Sequence, residues 1–137
     1  MSTSTIAKLL DTAARSVAAL PDDFYKENTS KDLQGPVVPW ARSTLYPNVS
    51  TPLSVGQNAQ RQMQGLYRID ILYPQDKGPS AARTAADAVV AAFPIGRRLV
   101  DGAVTVICEM ASVLSSPQAP GKYYIVPVQI NWVVYIG

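Results

Sequence analysis

Apolar residues recur at three- and four-residue steps through Ile6, Leu9, Leu10, Ala13, Val17 and Leu20. That spacing predicts an amphipathic helix over residues 5–20. Lys8, Asp11 and Arg15 fall off its apolar stripe. Thr3, Ser4 and Thr5 supply hydroxyls for an N-cap. Pro21 ends the helix, because a residue before proline is pushed out of the α region. Residues 21–36 are polar and mixed in charge and predict a loop with a short helical turn. Val37 to Arg42 reads as a strand that Pro39 confines to an edge or a bulge. Residues 43–60 hold Pro47, Pro52 and Gly56 and no charged side chain. They predict a long neutral loop, a feature that is usually functional when it lacks structure of its own.

Alternation takes over at residue 62. Met63, Gly65, Tyr67, Ile69, Ile71 and Tyr73 point one way. Gln62, Gln64, Leu66, Arg68, Asp70 and Leu72 point the other, which predicts a strand. Residues 74–79 are a turn. A helix follows from Ser80 to Phe93, with Ala82, Ala86, Val89 and Phe93 on its buried stripe. Its alanines suit a close approach to a sheet. Residues 95–102 predict a turn. A strand over 103–114 places Val104, Val106, Cys108 and Met110 on one face. A turn over 115–121 leads to a strand over 122–136, where Pro127 again implies an edge or a bulge. The expected architecture is α+β: one mostly antiparallel sheet of about four strands, with two helices packed on one face.

Length and composition narrow the chemistry. The 137 residues suit a single domain. Charged residues are 16% of the chain, against about 25% in an average domain. The deficit points to surface covered by a partner. Twelve basic and ten acidic residues leave a net charge of +2, too balanced for a dedicated nucleic-acid or membrane-surface binder. Histidine is absent, which removes the usual general base and the commonest metal ligand. One cysteine, Cys108, permits neither an internal disulfide nor a four-cysteine zinc site. Asp70 and Asp87 are far apart and have no histidine partner, so they nominate no acid–base pair. Asp70 beside Arg68 reads as a solvated or salt-bridged pair. No phosphate-binding glycine loop occurs. The expected catalytic, cofactor and metal residues are therefore none. No leader segment or membrane span is expected, since Lys8, Asp11 and Arg15 interrupt the first apolar stretch.

One ordered set of motifs remains. Pro39-Trp40-Ala41-Arg42 precedes the neutral loop. Arg61-x-x-x-Gly65-x-Tyr67-x-Ile69-x-Ile71 then runs to Pro74. Gly78, a helix carrying Ala86-Asp87 and ending at Phe93, and a strand opened by Gly102 complete the order. In this order and spacing the chain resembles the tail terminator family of long-tailed bacteriophages, over about residues 37–136. The resemblance implies one tail-terminator-like domain over residues 1–137. It implies a sixfold ring of identical copies on the last ring of the tail tube. Such a ring stops tube growth and presents a face to the head-completion proteins of the neck, while DNA passes through its hole. It implies a virion protein at the tail–neck junction, assembled in the host cytoplasm, with no enzymatic activity and no cofactor. Two other readings stay open. One is another head–tail joining or tail-completion protein. The other is a small ligand-binding or catalytic α+β domain, for which the sequence nominates no converging polar groups.

Candidate contact residues follow from the same patterns. Leu45, Tyr46, Val49, Leu53 and Val55 put apolar surface on a segment without charge. Leaving that surface wet costs about 25 cal/mol per Å², so an interface with a neighbouring subunit or the tube is expected there. Arg97 and Arg98 form the one adjacent basic pair, whose simplest reading is a solvated turn. Tyrosine outnumbers phenylalanine seven to two, which suits half-wet interfaces. Tyr123 and Tyr135 are the candidates on the last strand.

Overall fold

The computed structural model describes residues 3–18, 20–21, 24–25, 39–52, 61–74, 80–102, 104–114 and 123–136. At 3, 48–52, 61, 123 and 136 it places the backbone alone. The elements in chain order are α1 (Thr3–Arg15), β1 (Phe24–Tyr25), β2 (Trp40–Pro52), β3 (Arg61–Pro74), α2 (Ser80–Ala92), β4 (Arg98–Asp101), β5 (Val104–Val113) and β6 (Tyr123–Ile136). The strands form one sheet in the order β1-β2-β3-β6-β5-β4. Every pairing is antiparallel except the parallel contact of β1 with β2. The α+β architecture stands, with six strands rather than about four among the described residues. The two added strands are short: Phe24–Tyr25 and Arg98–Asp101. Neither is long enough for alternation to show in the sequence.

Both helices lie on the same face. Ile6, Leu10, Ala13 and Ala14 of α1 share one core with Ala82, Ala85, Ala86 and Val89 of α2. The sheet contributes Ala41 and Leu45, then Tyr67, Ile69 and Ile71, then Val126, Val128, Ile130, Trp132 and Val134. Helix α1 touches β2, β4 and β5, so it spans both halves of the sheet on that face; α2 lies over β3, β6 and β5. The alanines of α2 let its backbone approach the sheet, and Phe93 seals its end. Burial of a side chain the size of Phe93 contributes about 2 kcal/mol.

Helix α1 stops at Arg15, six residues before Pro21. Ser16 Oγ donates to the Ala13 carbonyl at 2.6 Å, and the chain tightens into three-residue bonds from Ser16 to Ala13 and Val17 to Ala14. The serine side chain, not the proline, takes over the last carbonyls. Asp11 lies off the apolar stripe yet is only 6% exposed. Its Oδ1 accepts from Ser43 Oγ of β2 at 2.8 Å and from the Tyr67 hydroxyl of β3. These bonds satisfy the buried carboxylate and pin α1 across two strands.

The expected neutral loop is a strand for most of its length. Residues 43–52 continue β2 and pair with β3 as far as Pro52 opposite Arg61. A bulge between Pro47 and Val49 absorbs the proline. Residues 53–60 lie outside the described residues. Strand β5 has its own bulge, between Cys108 and Met110. It turns Met110 to the opposite face, 54% exposed, and brings Ala111 to the core side. Pro127 sits in a central strand, not at an edge. Its carbonyl accepts from Leu114 N, just past the last β5 pair at Val113 and Val128. The proline nitrogen lies on the same side as that carbonyl, toward β5 where the ladder ends, so the ladder with β3 loses no bond.

Candidate assembly surface

Among the described residues no helix covers the second face of the sheet, which is bare in that sense although Trp40, Leu72, Ile125 and Val133 on it are buried, and the register arranges it in rows. The first row is Trp40, Leu72 and Ile125, an apolar group against which Tyr25 packs. Arg42, Asp70 and Pro127 form the next. Thr44, Arg68, Gln129 and Ser112 follow. Tyr46, Leu66, Asn131 and Met110 come after them. Gln64, Val133, Ile107 and Arg98 are next, and then Gln62 with Tyr135.

Apart from Arg98 at the β4 edge, the charged side chains in these rows form one cluster. Arg42 Nε donates to Asp70 Oδ2 at 3.0 Å and Arg68 Nε donates to Oδ1 at 2.7 Å. Asp70 is 5% exposed and both guanidiniums are much more open. The pairing of Asp70 with Arg68 expected from sequence is present, and Arg42 adds a second cation. Two cations on one carboxylate leave this cluster a net positive charge. The row of Tyr46, Leu66, Asn131 and Met110 has no charge. A shallow hollow lies beside it, between Gln64, Leu66, Glu109 and Asn131.

The candidate contact residues divide. Tyr46 and Tyr135 are both exposed on the bare face. Leu45, 8% exposed, belongs to the core under α1 and α2. Val49 and Tyr123 lie in β2 and β6, with side chains outside the described residues. Leu53 and Val55 lie outside the described residues altogether. Arg97 is half-buried rather than solvated. It donates to the Ala92 carbonyl at the end of α2, and its guanidinium stands 5.4 Å from the centre of the Phe93 ring. Arg98 is exposed on β4. The Arg97–Arg98 pair is thus split between a helix cap and an exposed side chain on β4.

A groove between α1 and β4 escaped the sequence reading. Lys8, Leu9, Thr12, Ala13 and Ser16 form one wall, and residues 97–101 form the other. The signal was hidden because β4 is four residues long and reads as a turn.

The titratable groups away from these surfaces serve the core. Burial and the neighbouring Asp11 push the Tyr67 phenol well above its ordinary range. Burial raises the Cys108 thiol, against a smaller lowering by Arg97. Among the described residues no three His, Cys, Asp or Glu side chains converge as a metal site. No described helix is long and apolar enough to cross a membrane.

Comparisons with known proteins bear on this architecture. A family model described as phage tail terminator protein matches residues 5–132. No curated protein sequence matches the chain. Fifteen solved chains match it in structure. One of them, a protein without a descriptive name, superposes with a TM-score of 0.72 at 18% identity, covering 98% of this chain and 96% of its own. At that identity the likeness is one of fold.

Proposed function

We propose that this chain, which belongs to the phage tail terminator family, forms a ring that caps the tail tube, stops its growth and joins the tail to the head-completion proteins. The family consists of structural virion proteins of the phage tail, not enzymes, and implies association with other tail proteins. The ring is six-membered, as the resemblance implies, and DNA passes through its hole.

The observation that carries this reading is the bare sheet face. Among the described residues the six-stranded sheet has helices on one side only, and its other side bears the uncharged row of Tyr46, Leu66, Asn131 and Met110, with Tyr135 exposed two rows beyond it. A two-layer domain of this kind is complete in itself, so such a face is fitted to other protein. Rings need two different patches that meet head to tail. The uncharged row on the bare face supplies one such patch. In this reading the apolar positions 53 and 55 extend the contact beyond the β2–β3 pairing. The assembled protein resides in the virion, at the junction of tail and neck, after assembly in the host cytoplasm.

The test is tail length. Tyr46→Asp with Met110→Asp places two carboxylates on the band without touching the core. The expected result is a folded protein and tails of irregular length that fail to join heads. The same outcome is expected for Leu53→Asp with Val55→Asp. Normal tails of normal length from both double variants contradict the reading. Tails of normal length that fail only to join heads favour a head–tail joining protein instead.

A further inference from the structure

The edge of β4 and the groove beside it lie at the margin of the core and the bare face. Among the described residues β4 is the last strand of the sheet. The direction of its backbone groups follows from its pairing with β5. Cys108 N donates to the Arg97 carbonyl, and Leu99 and Asp101 lie opposite Val106 and Val104. In an antiparallel ladder, residues that bond to the partner strand alternate with residues whose N–H and C=O point away from it. Arg97, Leu99 and Asp101 therefore face β5, and the backbone groups of Arg98 and Val100 point outward, toward the groove.

Three features give that edge a specific chemistry. Its floor is apolar: Leu9 and Ala13 of α1 and Leu99 of β4. Its rim is basic: Lys8, Arg97 and Arg98 stand against one carboxylate, Asp101. Val100, beside Arg98 on the outward side, is 61% exposed. Unpaired backbone groups beside an apolar trough are what an added strand requires, since the main chain supplies the bonds and alternate side chains supply specificity.

We propose that this groove binds an extended segment of a partner protein, added to β4 as a further strand, in which apolar and acidic residues alternate. The apolar residues face Leu9, Ala13 and Leu99. The acidic residues lie on the other side of the added strand, beside Arg98. Its main chain bonds the N–H and C=O of Arg98 and Val100. The tail-completion role makes the partner another tail protein, but the recognition chemistry stands without that role.

A synthetic decapeptide of alternating valine and glutamate, capped at both ends, is the probe. Titrated into the full-length protein, it is expected to shift the amide resonances of Arg98 and Val100 and those of Lys8 and Leu9. A valine–lysine decapeptide is expected to bind at least about tenfold more weakly. Arg98→Glu is expected to reverse that preference. Val100→Pro removes one outward N–H and leaves the β5 ladder intact, so it is expected to abolish binding while the resonances of β5 and β6 keep their positions. Equal binding of both peptides, shifts confined to another surface, or unchanged binding by the Val100→Pro protein overturns the proposal. So does the absence of shifts at millimolar peptide. Irregular tails arising from Tyr46→Asp with Met110→Asp are a separate result, so failure of the groove and failure of the tail role are read apart.

Discussion

At Gly65 a hydrogen atom is all the space allows. A methyl group there would stand 2.4 Å from the Tyr46 carbonyl oxygen and 2.7 Å from the Trp132 ring. Trp132 lies directly opposite on β6 and is fully buried, and the Tyr46 contact is backbone, held by the bulge in β2. Neither neighbour can give way cheaply. Gly65→Ala is expected to destabilise the fold by about 2–3 kcal/mol, read as a lower urea midpoint with an unchanged slope. The buried Asp11–Tyr67–Ser43 cluster makes a second residue-scale prediction. The Tyr67 phenol is raised in the folded protein, chiefly by burial, and has an ordinary value near 10 when unfolded. Between those values the unfolded chain releases a proton that the folded chain keeps. Stability is therefore full below about pH 10 and falls as pH rises above it, by up to about 1.4 kcal/mol per unit for this group. Tyr67→Phe should remove that part of the alkaline slope. It should also lower stability at neutral pH by about 1–3 kcal/mol, since Asp11 loses a buried donor. Urea unfolding of both proteins between pH 8 and pH 11 measures both effects.

At the scale of elements, the bulge in β5 makes the next prediction. Glu109 is the extra residue: Cys108 stays opposite Trp132, and Met110 opposite Asn131. Deleting Glu109 regularises the ladder while Cys108 and Ala111 keep the core side. A folded protein within about 1 kcal/mol of the parent is expected, as measured by thermal unfolding. The same bulge explains a limit of the sequence. Period-two alternation placed Met110 beside Cys108, and one inserted residue reversed it. Long periodic elements were legible: both helices, the alternation of β3, and the inward face of β6 from Tyr124 to Val134. The proline rule was legible only in part. At Pro127 it required an edge or a bulge and neither is present: the proline stands in a central strand, at the end of the ladder with β5. The neutral segment misled because its lack of charge and its prolines look like a loop, whereas a bulge lets β2 carry Pro47 within the ladder. Removing residues 48–55 would take the pairs from Val49 with Gln64 to Pro52 with Arg61 out of the sheet, so substitutions at Leu53 and Val55 are the cleaner probe. Of the candidate contacts, Tyr46 and Tyr135 are exposed on the bare face, although the sequence put Tyr46 in a loop and not on a strand. The α1–β4 groove was not legible, because it joins residues about 90 positions apart.

For the whole molecule, charge and layering decide what assembly can do. Each copy carries a net charge of +2. On the bare face the Arg42–Asp70–Arg68 cluster spends one of its two cations on a carboxylate. In the proposed ring six such copies would attract a phosphate backbone without reading its bases. Binding to duplex DNA is expected to be weak, independent of sequence and lost between 50 mM and 200 mM salt. Fluorescence anisotropy with two unrelated duplexes over that range checks it. Sub-micromolar binding that prefers one sequence at physiological salt contradicts it. The central claim is the ring itself, and the direct measurement is averaged electron cryomicroscopy of intact particles at the head-proximal end of the tail. Six copies of this fold are expected in one closed layer on the last ring of the tube, with the band of Tyr46, Leu66 and Met110 covered by protein. A layer lacking sixfold order in this chain, or one in which that band faces open solvent, contradicts the account.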